Sequence, residues 1–191
     1  LSARKFEPPT GKVPAAIPEQ YLADPALSTS PASQISLCRM LSPRRIVIWN
    51  EPVMKEDVLR VLVEAVEKNG GTGEISLVLD EVIKNEQKGS TFFNEGAAFP
   101  HARFRGLSTP QISLGLTHKG VADVSTDNPI ECVFLILSPA EAPEVQLRLL
   151  STASRAAQSR YLLWNLKSAR TPEEALEDIC DWENFQEQRT V

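Results

Sequence analysis

The sequence predicts an α/β fold: a single domain with a small mixed β-sheet flanked by helices on both faces. Three observations predict it. Short apolar runs of strand length alternate with longer stretches of helical spacing. One run, Cys132–Leu137, is continuously apolar, as a strand covered on both faces must be. The 191 residues suffice for one sizeable core and an extension.

Composition narrows the function classes. Hydrophobic residues make up 42% and charged residues 24%, the balance of a globular protein. A net charge of −5 offers no global basic field for nucleic acid or an anionic membrane surface. No apolar stretch approaches the ~20 residues that span a bilayer. The opening LSARKFEPP is not a signal peptide, and a start on Leu suggests a processed protein or a piece of a longer one. Cys38, Cys132 and Cys180 are odd in number, far apart and without a CxxC pair, so neither a disulfide framework nor a metal site is expected. A reducing cytosol fits best, with Cys132 as a buried core thiol.

Residues 1–35 hold six prolines and no apolar period, and are expected to form a linker or an extended arm. The domain then occupies 36–191. Ile35, Leu37, Met40 and Leu41 make a helical turn stopped by Ser42-Pro43. The basic pair Arg44-Arg45 reads as solvated surface. Ile46–Trp49 is a strand by composition and length. Met54, Val58, Val61, Leu62, Ala65 and Val66 share one helical face, ended by Asn69-Gly70-Gly71. Ile75, Val78, Leu79, Val82 and Ile83 mark a second amphipathic helix.

Asn94-Glu95-Gly96 is expected to turn between two short strands, the later one stopping at Pro100 because a residue before proline is held extended. Ile112, Leu114 and Leu116 alternate with Ser113 and Gly115, which predicts a half-buried strand over 110–117. Helical spacing returns from Glu144 through Leu147, Leu150 and Ala157, and continues through Tyr161, Leu162, Leu163 and Leu166. Thr171-Pro172-Glu173-Glu174 is a capping box with Pro at the first helical position, opening a last helix.

The chemistry concentrates at His101. It follows Phe99-Pro100 where a strand edge is expected to give way to a turn or a helix start. An imidazole there can be a nucleophile, a base, a ligand or an idle loop side chain. The other histidine, His118, reads as an exposed turn residue without a role. A hydrolase reading lacks a Gly-x-Ser-x-Gly or any comparable nucleophile motif.

Gly89-Ser90-Thr91 followed by Glu95-Gly96-Ala97-Ala98-Phe99-Pro100-His101-Ala102-Arg103 resembles the signature of the type-2 IIA domains of the bacterial phosphoenolpyruvate-dependent sugar phosphotransferase system, of the fructose/mannitol and nitrogen-regulatory kind. The likeness runs from about Leu37 to Trp182. It takes in Lys55–Leu59, the ECVFLILSP strand, QLRLLSTASRAA and TPEEAL. It implies a IIA fructose/mannitol-like fold. It also implies that His101 accepts a phosphoryl group from an HPr-like phosphocarrier, without cofactor or metal.

The family supports its acceptor with an Arg in an R-E pair and with a second His. Here those positions read Asn85-Glu86 and Gln146. Neither Asn85 nor Gln146 carries a cation, so transfer is expected to be impaired. Thr91, Glu86 and Arg103 complete the candidate site, Thr91 as a cap or hydrogen-bonding group and Arg103 as the nearest cation. Glu86 reads equally as a site residue or a solvated helix-end charge. Two functions are therefore carried forward. One is a cytoplasmic regulatory IIA domain acting as a phosphohistidine carrier. The other is a ligand- or partner-binding module that is not phosphorylated. Such modules resemble the cytosolic tails of bacterial cation/proton antiporters and other transporters, which would tether the domain to the inner membrane.

Overall fold

The computed structural model describes residues 35–92 and 96–188. The proline-rich stretch up to residue 34, and Asn94-Glu95 of the expected turn, lie outside these described residues. Six α-helices and five strands are present among them: α1 Leu37–Met40, β1 Ile46–Trp49, α2 Lys55–Glu67, α3 Ile75–Lys88, β2 Ala97–Ala98, β3 His101–Phe104, β4 Gln111–Thr117, β5 Cys132–Pro139, α4 Pro143–Gln158, α5 Arg160–Ser168 and α6 Pro172–Gln188.

The strands form one mixed sheet in the order β1-β4-β5-β2, with β3 also on β5. Only the β4–β5 pair is antiparallel. β2 and β3 follow one another along the same edge of β5, at Cys132-Val133 and Ile136–Pro139. The gap between them is Phe99-Pro100. Proline has no N–H to give to a ladder, so pairing lapses there. The Pro100 carbonyl still accepts from Ile136 N at 2.9 Å, and pairing resumes at once. His101 is thus the first residue of a strand, and not of the turn or helix start expected from Pro100.

Strand alternation divides the core into two layers. Ile112, Leu114, Leu116, Phe134 and Ile136 face α4, α5, α6 and α1. Val133, Leu135, Leu137, Ala98, Ala102 and Phe104 face α2 and α3. β5 is central and buried along its whole length, in accord with its apolar run. β4 is buried on both faces as well, which corrects the half-buried expectation. Ser113 and Gly115 are small because α2 lies directly on them. The Ser113 hydroxyl donates to Leu62 O at 3.1 Å, and a Cβ on Gly115 would meet Trp49 Cζ3 at 3.0 Å. Small residues in a strand therefore marked a close helix, not solvent.

The helix ends follow local chemistry. Asp123 Oδ1 accepts from Lys55 N at 2.7 Å and so caps α2 from a distant loop. Thr171 Oγ1 accepts from Glu174 N at 3.2 Å at the start of α6, while the Glu174 carboxylate reaches back to Arg170 N. Arg45 is half-buried rather than solvated: its guanidinium donates to Asn69 O just past α2, and burial lowers its pKa. His118 is likewise half-buried, with Nδ1 3.2 Å from Asn50 Oδ1.

The largest departure from expectation is covalent. Cys38 of α1 and Cys180 of α6 form a disulfide across 142 residues. The two residues meet because α1 packs on α6, a tertiary contact that spacing along the chain does not encode. Cys132 remains a free, buried thiol.

Candidate functional site

His101 opens β3, whose residues are alternately half-buried or exposed (His101, Arg103) and buried (Ala102, Phe104). Ala102 and Phe104 pack in the α2/α3 layer. His101 and Arg103 therefore face the α4 side of the sheet, in register with Ile136 and Ser138 of β5. The His101 ring is fixed by its own chain. Nδ1 lies 2.8 Å from the Phe99 carbonyl. A carbonyl only accepts, so Nδ1 carries the proton and Nε2 holds the lone pair of the neutral imidazole. Phe99 is itself anchored, its ring stacked on Phe134 with centroids 5.9 Å apart.

Asn85 reaches the site from the opposite layer. In the last turn of α3 its Nδ2 donates to the His101 carbonyl at 3.2 Å, and its Oδ1 accepts from Lys88 Nζ at 3.3 Å. The amide is engaged at both ends, and it holds the backbone of His101, not its ring.

Glu86, the next residue, is buried, with its side chain 5% exposed. Its carboxylate accepts from Thr91 N, the Thr91 hydroxyl and the Ser90 hydroxyl. It also pairs with Lys55 Nζ at 2.9 Å. Lys55 in turn donates to Ser90 Oγ at 2.9 Å and lies 4.6 Å above the Phe92 ring. Of the two readings left open for Glu86, the solvated helix-end charge is excluded by this burial. Glu86 and Thr91 form a knot that ties the 89–92 segment to the end of α3, one residue along from the amide that ties down His101.

Gln146 is the fourth residue of α4 and is 9% exposed. α4 begins on Pro143 without a side-chain cap. Its first-turn N–H groups form a partly positive end, as at any helix start. The Gln146 amide makes no hydrogen bond to a described residue. It stands on the same side of the sheet as His101, beside the exposed Leu147. Arg103 is exposed and has no ion-pair partner among the described residues.

The structure thus brings Asn85 to the backbone of His101, and Glu86 to Thr91. It sets Arg103 and Gln146 on the His101 side of the sheet. Sequence reasoning missed Phe99, Lys55, Ser90 and Lys88 as supporting residues. Phe99 carried a signal, since a residue two before the histidine and held extended by Pro100 can present its carbonyl to the ring. The contacts of Lys55 carried none, because they join segments 35 residues apart. Among the described residues no group of three or more His, Cys, Asp or Glu could hold a metal ion, and no helix is long and apolar enough to cross a membrane.

Comparison with known proteins agrees with this fold. Residues 39–181 match the family model described as the phosphoenolpyruvate-dependent sugar phosphotransferase system, EIIA 2. The chain is 27% identical over 153 residues to a nitrogen regulatory protein of Pseudomonas aeruginosa, covering 80% of this chain and 99% of that protein. It is 25% identical over 146 residues to a fructose-specific EIIA component of Haloferax volcanii, covering 74% of this chain and 95% of that one. It also matches a fructose-specific EIIABC component of Bacillus subtilis at 27% identity, over 77% of this chain and 23% of that longer protein.

Two solved structures share the fold. The nitrogen regulatory protein IIA-Ntr of Neisseria meningitidis superposes with TM-score 0.64 at 21% identity, covering 74% of this chain and 97% of that chain. IIA mannitol of Escherichia coli superposes with TM-score 0.61 at 18% identity, over 73% and 98%. The family match and the mixed five-stranded sheet agree, and this chain belongs to the EIIA type-2 family of the phosphoenolpyruvate-dependent sugar phosphotransferase system.

Proposed function

We propose that this IIA domain is regulatory and that His101 Nε2 accepts a phosphoryl group from an HPr-like phosphocarrier, at a rate lowered by Asn85 and Gln146. The observation that carries the reading is the contact of His101 Nδ1 with the Phe99 carbonyl. It supports a proton on Nδ1 and Nε2 as the nucleophile, on a ring tied to its own backbone. In transfer the Nε2 lone pair attacks phosphorus in line, the bond between phosphorus and the carrier breaks, and the carrier keeps that electron pair. Positive charge that develops on the ring is met by the Phe99 carbonyl at Nδ1–H.

Stabilisation of the phosphoryl oxygens falls to neutral donors and one exposed cation. Gln146, at the start of α4, can donate through its amide, as can the N–H groups of that helix's first turn. Arg103 supplies positive charge from the same face. Asn85 acts by holding the His101 backbone, and Glu86 and Thr91 by holding the preceding segment. Family members with Arg and His at positions 85 and 146 have charge-assisted bonds there, which are about twice as strong as neutral ones.

A second reading is favoured by Asn85 in particular. Its amide is taken up by the His101 carbonyl and by Lys88, where an Arg would address a phosphoryl group. In that reading the domain binds a partner or ligand without being phosphorylated, as a cytosolic module attached to a cation/proton antiporter or other transporter. The Bacillus subtilis relative, far longer than this chain, supports the general idea of IIA regions joined to larger proteins.

One experiment separates the two. The chain is incubated with phosphoenolpyruvate, enzyme I and HPr and followed by mass spectrometry. A slow gain of about 80 Da, one phosphoryl group, is expected, and His101→Ala should abolish it. No gain, in conditions that label a control IIA protein, rejects phosphorylation in favour of the binding module. Label that survives His101→Ala rejects the site.

A further inference from the structure

The His101 site makes no use of the cysteines, yet two of them are bonded. α1, the first helix of the described chain, has only four residues, well below the length at which an isolated helix holds itself. Besides the packing of the partly buried Ile35 and Met40, three contacts secure its place on α6. Leu37 and Leu41 are buried in the layer between the sheet and α4–α6. The Glu183 carboxylate of α6 accepts from Ser36 Oγ at 2.6 Å, Leu37 N at 2.6 Å and Cys38 N at 3.1 Å, capping α1 from across the interface. The Cys38–Cys180 disulfide then closes the contact covalently.

Both bonded cysteines are half-buried, so the bond lies near the surface. The third, Cys132, sits in β5 at 1% exposure, with its thiol pushed up to about 12 by burial. It is neither reachable nor ionised, and cannot enter exchange with the other two.

We propose that Cys38–Cys180 is a thiol–disulfide exchange site through which a dithiol reductant releases α1 from α6 while the rest of the domain stays folded. A thiolate of the reductant attacks one sulfur of the bond, forming a mixed disulfide and freeing the other cysteine. The reductant's second thiol then resolves the mixed disulfide and leaves as the oxidised dithiol. Two electrons pass to the protein, and Cys38 and Cys180 each take up a proton. What then holds α1 is the Glu183 cap, the buried Leu37 and Leu41, the partly buried Ile35 and Met40 beside them, and a long bond from the Arg45 guanidinium to Met40 O. The α2/α3 layer, on the far side of the sheet, has no part in it. Release uncovers Leu37, Leu41 and the α6 surface beneath them. This site stands apart from the phosphoryl-transfer reading and does not depend on it.

The test uses the whole chain under native conditions with dithiothreitol as the reductant. N-ethylmaleimide labelling is read by peptide mass spectrometry, and backbone opening by hydrogen exchange. Before reduction no cysteine should label. After it, Cys38 and Cys180 should label and Cys132 should not. Exchange over residues 37–41 should then rise at least tenfold, with α2 and α3 unchanged, and reoxidation should restore both readouts. A Cys38→Ser/Cys180→Ser double variant should show the raised exchange with or without dithiothreitol. Labelling of Cys38 or Cys180 before reduction overturns the proposal, because the bond is then absent. Reduction that occurs only together with Cys132 labelling overturns it too, because the bond is then a permanent staple. Unchanged exchange at 37–41, in the reduced protein or in the double variant, shows that the bond does not control α1.

Discussion

Replacing Glu86 by Ala tests the knot that holds the segment leading toward the strand that His101 opens. The wild-type carboxylate accepts from two backbone-proximal donors, Thr91 N at 3.1 Å and the Thr91 hydroxyl, and from the Ser90 hydroxyl at 3.2 Å. It also pairs with Lys55. A hydrogen bond to a charged group contributes about 1.5–3 kcal/mol when shielded from water. The two Thr91 bonds are part-buried and fall in that range. The Ser90 bond is long and its donor residue exposed, and Lys55 is 24% exposed, so these two together add about 1 kcal/mol after solvent screening.

Taken singly these contributions sum to about 4–7 kcal/mol, but they share one carboxylate and are not additive; the expected loss for Glu86→Ala is therefore about 3–5 kcal/mol, the range found when one partner of a buried pair is removed. Glu86→Gln keeps the side-chain length and an acceptor for Thr91 N, and should lose about 1–2 kcal/mol. Urea unfolding of the three proteins measures this directly, provided the denaturant slope is unchanged. Amide exchange at Thr91 should speed up in the same order. A loss below about 1 kcal/mol for Glu86→Ala, or equal losses for Ala and Gln, would refute the argument that a buried, charged acceptor organises the segment.

Two further outcomes follow from the same geometry. Gln146→His should raise the initial rate of phosphorylation about tenfold, since exchanging a neutral for a charge-assisted donor is worth roughly 1–1.5 kcal/mol, and a rate equal to or below wild type in the enzyme I/HPr assay would deny Gln146 its assigned role. Cys132 gives a pH signature. Its folded pKa of about 12 lies above the ordinary 9.0, so its contribution is complete below about pH 9 and is lost as pH rises toward 12. Unfolding free energy should fall there by about 1.4 kcal/mol per pH unit relative to a Cys132→Val variant, and parallel curves for the two proteins would exclude the burial effect.

Most of the elements were legible in the sequence because their signals are local. The period of 3.6 in α2 and α3, the unbroken apolar run of β5 and the Thr171 cap of α6 each lie within a few residues. β4 was misjudged because alternation cannot distinguish a strand half in water from one pressed against a helix through Ser113 and Gly115. The strand after Pro100 was missed because proline ends one stretch of pairing without preventing the next.

At the site, the signature motif was enough to find His101 and to mark Asn85 and Gln146 as departures from the family. Motif spacing does not say what a side chain touches. That Asn85 binds the His101 backbone and that Glu86 is buried beneath Lys55 depend on elements distant along the chain meeting in the fold, whereas Phe99 meets the His101 ring within two residues.

What the sequence determined by itself was the class of fold, the family and the candidate acceptor His101, since each is written in periodicity or in a contiguous motif. The tertiary structure alone decided the pairing of Cys38 with Cys180, the reach of Asn85 to the His101 carbonyl and that of Lys55 to Glu86. Such contacts join residues from 16 to 142 positions apart. At those separations chain connectivity carries no preference for one partner over another, and packing of the layers makes the choice.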